Sequence, residues 1–280
     1  VKGLWCESLA NPGGVISDLE ALADCAHAVD VPFFVDNTLA TPYLCRPMEW
    51  GADVVVHSTT KFISGQGSAM GGAVVDSGKF NWSAVKGKFP SLSEPDLGYH
   101  GLVFHESFGK LAYTIYGHAV CLRDLGATMA PMNAFLTLNG CETMGVRMDR
   151  HCSNARAVAS HLAAHPAVTS VQMAALEDDP YHALALKYIR GGHGGAVFTI
   201  KLAGGYEAGQ AAVSRVNLLS HLANVGDTRS LILHPASTTH RQLSTEQRDA
   251  CGAGDDVIRL SIGLESAEDL IADLDYALAK

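Results

Sequence analysis

Two ionisable residues in this chain each follow a short apolar run. Asp36 closes Val31-Pro32-Phe33-Phe34-Val35, and Lys61 stands just past Asp53-Val54-Val55-Val56, in the stretch His57-Ser58-Thr59-Thr60-Lys61. A lysine acts as a nucleophile or base only when part of its population is neutral, which burial or a nearby positive charge brings about. A fixed carboxylate such as Asp36 holds a proton on a heterocyclic nitrogen. The hydroxyls of Ser58 and Thr60, with neighbouring backbone N–H groups, supply donors for a phosphate. Taken singly, Asp36 reads as a turn cap and Lys61 as a solvated loop residue. Taken together, these residues are the parts of a pyridoxal-phosphate site.

The elements that must position them follow from hydrophobic patterning. Leu4-Trp5-Cys6, Val31–Val35, Asp53–Val56 and Ala73-Val74-Val75 are short apolar runs separated by helical segments. Such runs are buried on both faces, and they predict a mainly parallel α/β sheet with flanking helices. Ser17-Asp18-Leu19-Glu20 reads as a capping box opening a helix that carries Leu19, Leu22, Ala23 and Ala26. In open sheets of this kind, ligands bind at the carboxyl ends of the strands, where Asp36 and Lys61 fall.

Residues 80–105 lack periodicity and predict a long loop, and helical patterning then runs to about His165. Ala196–Leu202 and Val257–Ile262 read as strands. A last helix opens at Ser266, with Asp269 three positions on, and buries Leu270, Ile271, Leu274 and Leu278. The chain thus divides into residues 1–140, part of a large α/β domain, and 141–280, a smaller α+β domain. Within Val257–Ile262, alternation sets Ile258, Leu260 and Ile262 on one face and Arg259 on the other. Without further context, Arg259 reads as a structural ion-pair residue.

The 280 residues are 48% hydrophobic and 18% charged, the balance of a globular chain. A net charge of −9 argues against nucleic acid or an anionic membrane as the main partner. No apolar run has the length of a membrane span, and no secretory pattern opens the chain. The seven cysteines (Cys6, Cys25, Cys45, Cys121, Cys141, Cys152 and Cys251) contain no CxxC pair. They read as reduced cytoplasmic thiols rather than a disulfide framework. His151-Cys152 lies in a helical segment without partner ligands, so no metal site is expected. The thirteen histidines read mostly as helix-surface or loop residues. The chain begins with Val and enters a strand within a few residues, which leads us to expect a further N-terminal segment.

Several blocks carry a resemblance. Glu7-Ser8-Leu9-Ala10-Asn11-Pro12, Val35–Pro42, His57–Lys61 and Arg147-Met148-Asp149-Arg150-His151-Cys152 come first in order. Asn224-Val225-Gly226-Asp227, His234–His240 and Arg259–Glu265 follow. In order and spacing these resemble the signature blocks of the Cys/Met-metabolism enzymes, a fold type I pyridoxal-phosphate family, over essentially the whole chain. Within the family, Thr41–Pro47, Val75–Phe80 and Glu94–Gly101 resemble the O-acetylhomoserine sulfhydrylases.

The resemblance implies roles by matching position. Lys61 is similar to the Schiff-base lysine, which also shuttles protons on the substrate. Asp36 would pair with the pyridinium nitrogen, Ser58 and Thr60 would bind the phosphate, and Asn11 would lie near the ring's 3-hydroxyl. Arg259 is similar to the arginine that clamps the substrate α-carboxylate, with Asn224 and Thr239 lining the same end. The implied reaction is γ-replacement on O-acetyl-L-homoserine by sulfide or a small thiol, giving homocysteine or methionine. The implied assembly is a cytoplasmic homotetramer of close dimers. Alternatives are a methionine γ-lyase or cystathionine γ-synthase/lyase activity of the same family, or an inactive scaffold subunit. Family members carry a further N-terminal segment with a glycine-rich phosphate turn and a ring-stacking tyrosine. The 280 residues alone are therefore expected to bind the cofactor weakly.

Overall fold

A computed structural model describes residues 1–279. Its first sheet contains β1 (Leu4–Glu7), β2 (Phe33–Asp36), β3 (Val54–Ser58) and β4 (Gly72–Asp76), in that spatial order. β1, β2 and β3 run parallel, and β4 returns antiparallel along β3. Phe33, Val35, Val54 and Val55 are buried, as the continuous apolar runs require. The sheet is the mainly parallel α/β layer expected from the sequence.

The second sheet contains β5 (Val168–Gln172), β6 (Val197–Leu202), β7 (Ser220–His221), β8 (Leu231–Leu233) and β9 (Val257–Ser261), in the order β5-β6-β9-β8-β7. Its ladders are antiparallel except for β7 with β8. Four helices carry most of the packing: α1 (Leu19–His27), α2 (Pro131–Ala163), α3 (Gly205–Arg215) and α4 (Ala267–Leu278). α2 spans 33 residues, starts with Pro in its first turn, and contains residue 140. It buries Met148, Cys152, Ala155, Ala159 and Leu162, the spacing of a single helix face. Residues from both sheets, among them Val35, Phe198 and Leu260, join α2 in one continuous buried cluster.

Two local expectations need correction. α1 is capped by Asp18, whose carboxylate accepts from the Ala21 N–H, and not by Ser17. The Ser17 hydroxyl instead donates to the Glu7 carbonyl at 2.7 Å, tying the helix entry to β1. Residues 80–105 are also not a bare loop. Short helices at Pro90–Ser93 and Phe104–Phe108, with a 3-10 turn at Leu97–Tyr99, surround a second core of Trp82, Leu92, Phe104 and Ala112. Trp82 stacks on Tyr113 with ring centroids 5.0 Å apart. Aromatic packing organises this segment without leaving a helical or strand period in the sequence.

α4 opens as expected, with the Ser266 hydroxyl accepting from the Asp269 N–H. It buries Leu270 and Leu274 fully and Ile271 and Leu278 partly. On its inner face Asp273 is buried and accepts the backbone N–H groups of Asn217, Leu218 and Leu219 at 2.8–3.0 Å. Asp273→Ala leaves those three donors without an acceptor and is expected to cost about 2–3 kcal/mol. Urea unfolding of the variant beside the parent checks this, and an unchanged midpoint would contradict it.

Candidate active site

Because β1, β2 and β3 are parallel, their carboxyl ends share one edge of the sheet. Glu7 ends β1, Asp36 ends β2 and Ser58 ends β3, with Glu7 opposite Asp36 and Asp36 opposite Val56. Asp36, Val56 and Ser58 therefore point to the same face. The turn after β2 is locked by Asn37, which is wholly buried. Its amide donates to the carbonyls of Thr41 and Cys45 and accepts from the Ser8 hydroxyl at 2.7 Å. Thr38 then joins the two strand ends. Its N–H donates to Asp36 Oδ1 at 2.9 Å, and its hydroxyl accepts the Ser58 N–H at 2.8 Å. Among the described residues, Asp36 Oδ2 and the Ser58 hydroxyl have no hydrogen-bond partner.

Lys61 lies in the turn beyond β3, and its Nζ donates to Asn224 Oδ1 at 2.6 Å. The loop carrying Asn224 approaches this closely because residue 226 is glycine. Gly226 has φ +79°, and a Cβ there would lie 2.7 Å from the Phe62 backbone nitrogen. The same loop is tied on by the Thr228 N–H, which donates to the Gly65 carbonyl at 2.9 Å.

Arg259 reaches the group from the second sheet. It is only 7% exposed, and its guanidinium donates to Asn11 Oδ1 at 3.2 Å and to the Asn224 carbonyl at 3.0 Å. Asn11 is itself oriented by its N–H, which donates to Glu7 Oε2 at 3.0 Å. No carboxylate among the described residues pairs with Arg259. The structural ion pair considered for this residue is therefore absent from the described structure. Arg259 is thus a buried cation whose partners are two neutral oxygens, which leaves its charge able to take an anionic group. Burial lowers the guanidinium pKa. The Lys61 amine is also held below the ordinary lysine range, first by burial and then by the positive charge of Arg259. That is the condition for a reactive amine.

Lys61, Asn224, Arg259 and Asn11 are thus joined by direct hydrogen bonds, with Asp36 and Ser58 on the adjoining sheet edge. Thr60 has a different engagement: its hydroxyl donates to the Gly71 carbonyl and accepts the Gly71 N–H. Thr239 is exposed and pairs only with His240 Nδ1 at 2.9 Å. The pKa of its neighbour His240 is lowered, first by burial and then by the charge of Arg259. Sequence reading missed three buried histidines, His57, His151 and His234. It also gave no role to Arg147, whose guanidinium binds the carbonyls that follow Lys61.

The lysine's environment predicts a pH signature. Below the folded pKa, Lys61 is charged in both the folded and the unfolded chain, and its burial costs stability. That cost is relieved as pH rises from the folded pKa to the ordinary lysine range. The stability of Lys61→Met relative to the parent is therefore expected to decline across that window. Denaturant midpoints measured at stepped pH check this, and a flat difference would contradict the depressed amine.

Comparison with known proteins agrees with this geometry. The family described as Cys/Met metabolism PLP-dependent enzyme matches residues 1–279. Homocysteine synthase of Schizosaccharomyces pombe is 45% identical over 278 residues, 99% of this chain and 65% of the relative. O-acetyl-L-homoserine sulfhydrylase 1 of Thermus thermophilus is 47% identical over 279 residues, 99% of this chain and 66% of its own. The chain therefore spans just under two thirds of the length of these relatives.

Among solved structures, a putative O-acetylhomoserine (thiol)-lyase of Campylobacter jejuni superposes with a TM-score of 0.95 at 39% identity. The match covers 99% of this chain and 66% of that one, which carries a pyridoxyl-lysine monophosphate. Cystathionine gamma synthase of Xanthomonas oryzae matches with a TM-score of 0.80 at 36% identity, over 99% of this chain and 62% of that structure. With its strand-end carboxylate, its depressed lysine and a family match running from the first residue to the last but one, this chain belongs to the Cys/Met-metabolism family of PLP-dependent enzymes.

Proposed function

We propose that this chain carries the lysine and carboxylate-binding parts of a PLP-dependent γ-replacement enzyme. Its substrates would be O-acetyl-L-homoserine and sulfide or a small thiol. The carbon–oxygen bond at the γ-carbon breaks, acetate leaves with the electron pair, and a carbon–sulfur bond forms there to give homocysteine or methionine. The observation that carries this reading is the buried, carboxylate-free Arg259, coupled through Asn224 to a lysine held below its usual pKa. The names of the relatives at 45% and 47% identity support the choice of substrate.

The residues at the sheet edge fit pyridoxal 5'-phosphate. They offer a lysine amine, an open carboxylate oxygen at Asp36 and a free hydroxyl at Ser58. When bound, the cofactor supplies an electron sink conjugated to the substrate α-carbon. Lys61 takes the α-proton and moves protons at the β-carbon, a task suited to an amine whose pKa is lowered. Asp36 would keep the ring nitrogen protonated. Ser58 would donate to the phosphate, while Thr60 braces the backbone at Gly71. Arg259 clamps the substrate carboxylate, and Asn11 and Asn224 hold its guanidinium in place. Thr239 would close the same end of the site through His240.

On this reading, residues 1–140 belong to the large cofactor-binding domain and 141–280 form the smaller one. We also propose a cytoplasmic enzyme built as a homotetramer of close dimers. Seven unpaired cysteines support the compartment, and the exposed Met132, Phe135 and Leu138 of α2 support the assembly. No helix among the described residues is long and apolar enough to cross a membrane.

The test is sulfide-dependent formation of homocysteine from O-acetylhomoserine in the presence of pyridoxal phosphate. Lys61→Ala is expected to abolish product. Arg259→Lys, which keeps the charge but loses the planar fork, is expected to raise KM by roughly 10–100-fold. Equal consumption of substrate with and without sulfide, releasing a keto acid, would replace this reading with elimination.

A further inference from the structure

The block Arg147–Cys152 has no part in the reaction just described, yet its first arginine is 6% exposed and richly bonded. Arg147 Nη1 donates to the Phe62 carbonyl at 2.7 Å, and Nη2 donates to the carbonyls of Ile63 at 3.0 Å and Gly140 at 2.7 Å. Its Nε donates to the Thr143 hydroxyl at 3.1 Å. Two of the three carbonyls belong to the residues immediately after Lys61. No carboxylate among the described residues pairs with this guanidinium. It fills the space that a side chain at Gly65 would need. One turn further along α2, His151 is fully buried, meets the Phe62 ring edge-on at 5.1 Å, and pairs through Nδ1 with the Ile262 carbonyl at 2.7 Å. Asn154 then donates to the carbonyls of Gly263 and Glu265. One face of α2 therefore grips both the turn beyond Lys61 and the chain leaving β9, the strand that carries Arg259.

For packing alone, a well-shaped apolar side chain would serve as well as a buried unpaired cation. An arginine fork has a specific advantage at this place. It binds two successive carbonyls at once and so fixes the path of the turn, which a lysine point charge cannot do. We propose that Arg147 is a positioning residue for Lys61, setting the turn so that the amine stays half-buried beside Asn224 and Arg259. The proposal rests on the reading of Lys61 as the reactive amine, and it goes beyond that reading by assigning the amine's placement to α2.

The experiment follows the amine directly, without cofactor. The chain and its Arg147→Lys and Arg147→Gln variants are labelled competitively with acetic anhydride over a pH series. Acetylation of the peptide containing Lys61 is read by mass spectrometry, and thermal unfolding is recorded for each protein. Asp273→Ala serves as a control that destabilises the fold at a distance from the lysine. Loosening the turn hydrates Lys61, so both Arg147 variants are expected to lower its labelling near neutral pH by about threefold to tenfold. Asp273→Ala is expected to lower the melting temperature and leave the Lys61 profile at the parental position.

If Arg147→Gln does not fold, Arg147→Lys and Thr143→Val, which removes the Nε acceptor together with the long Thr143 hydroxyl bond to the Gly140 carbonyl, carry the test with the same direction and a smaller shift for the latter. Arg147 variants that melt earlier yet label Lys61 as the parent does would overturn the proposal. So would an Asp273→Ala shift of equal size. A parental Lys61 that titrates as an ordinary lysine would instead overturn the underlying reading of a primed amine, and the proposal with it.

Discussion

Two cations, Lys61 and Arg259, are held close together on opposite sides of Asn224, whose side-chain oxygen takes the lysine and whose carbonyl takes the arginine. Their charges oppose one another, and the described structure supplies no carboxylate to relieve them. Desolvation and mutual repulsion both favour the neutral amine and an arriving anion. Much of the fold bears on this arrangement. The parallel strands set Asp36 and Ser58 on one edge, the second sheet delivers Arg259 to that edge, and Gly226 admits the Asn224 loop against the backbone at Lys61 and Phe62.

Neither cation would hold its place without support from segments distant in sequence. Arg259 depends on Asn11, itself oriented by Glu7, so the end of β1 helps to aim a residue of β9. The Lys61 turn is held from one side by the loop at Gly226 and Thr228 and from the other by Arg147. The single buried cluster joining both sheets through α2 is the mechanical counterpart of this wiring. A shift of either sheet against the helix would change the distance between the amine and the guanidinium.

Much of this was legible in the sequence because strand ends are easy to read. Continuous apolar runs marked β2 and β3, and polar residues directly after them had to fall on one edge of a parallel sheet. The Ser266 cap and the buried face of α4 were likewise written in local spacing. What remained hidden depends on contacts between remote segments. No period foretells that Asn224 meets Lys61 or that Arg147 reaches across to Phe62 and Ile63. Residues 80–105 looked structureless because their order comes from rings such as Trp82 and Tyr113 packing on one another. The Ser17 cap failed because its hydroxyl found the Glu7 carbonyl, a partner that only the folded strand provides.

The most direct test of the central claim, that Lys61 is the primed amine of a pyridoxal-phosphate site, is chemical mapping. The chain is titrated with pyridoxal phosphate, reduced with borohydride, digested and analysed for pyridoxyl-modified peptides. The account predicts modification concentrated on Lys61 and lost in Lys61→Ala. Modification scattered over other lysines, with Lys61 left untouched, would contradict it.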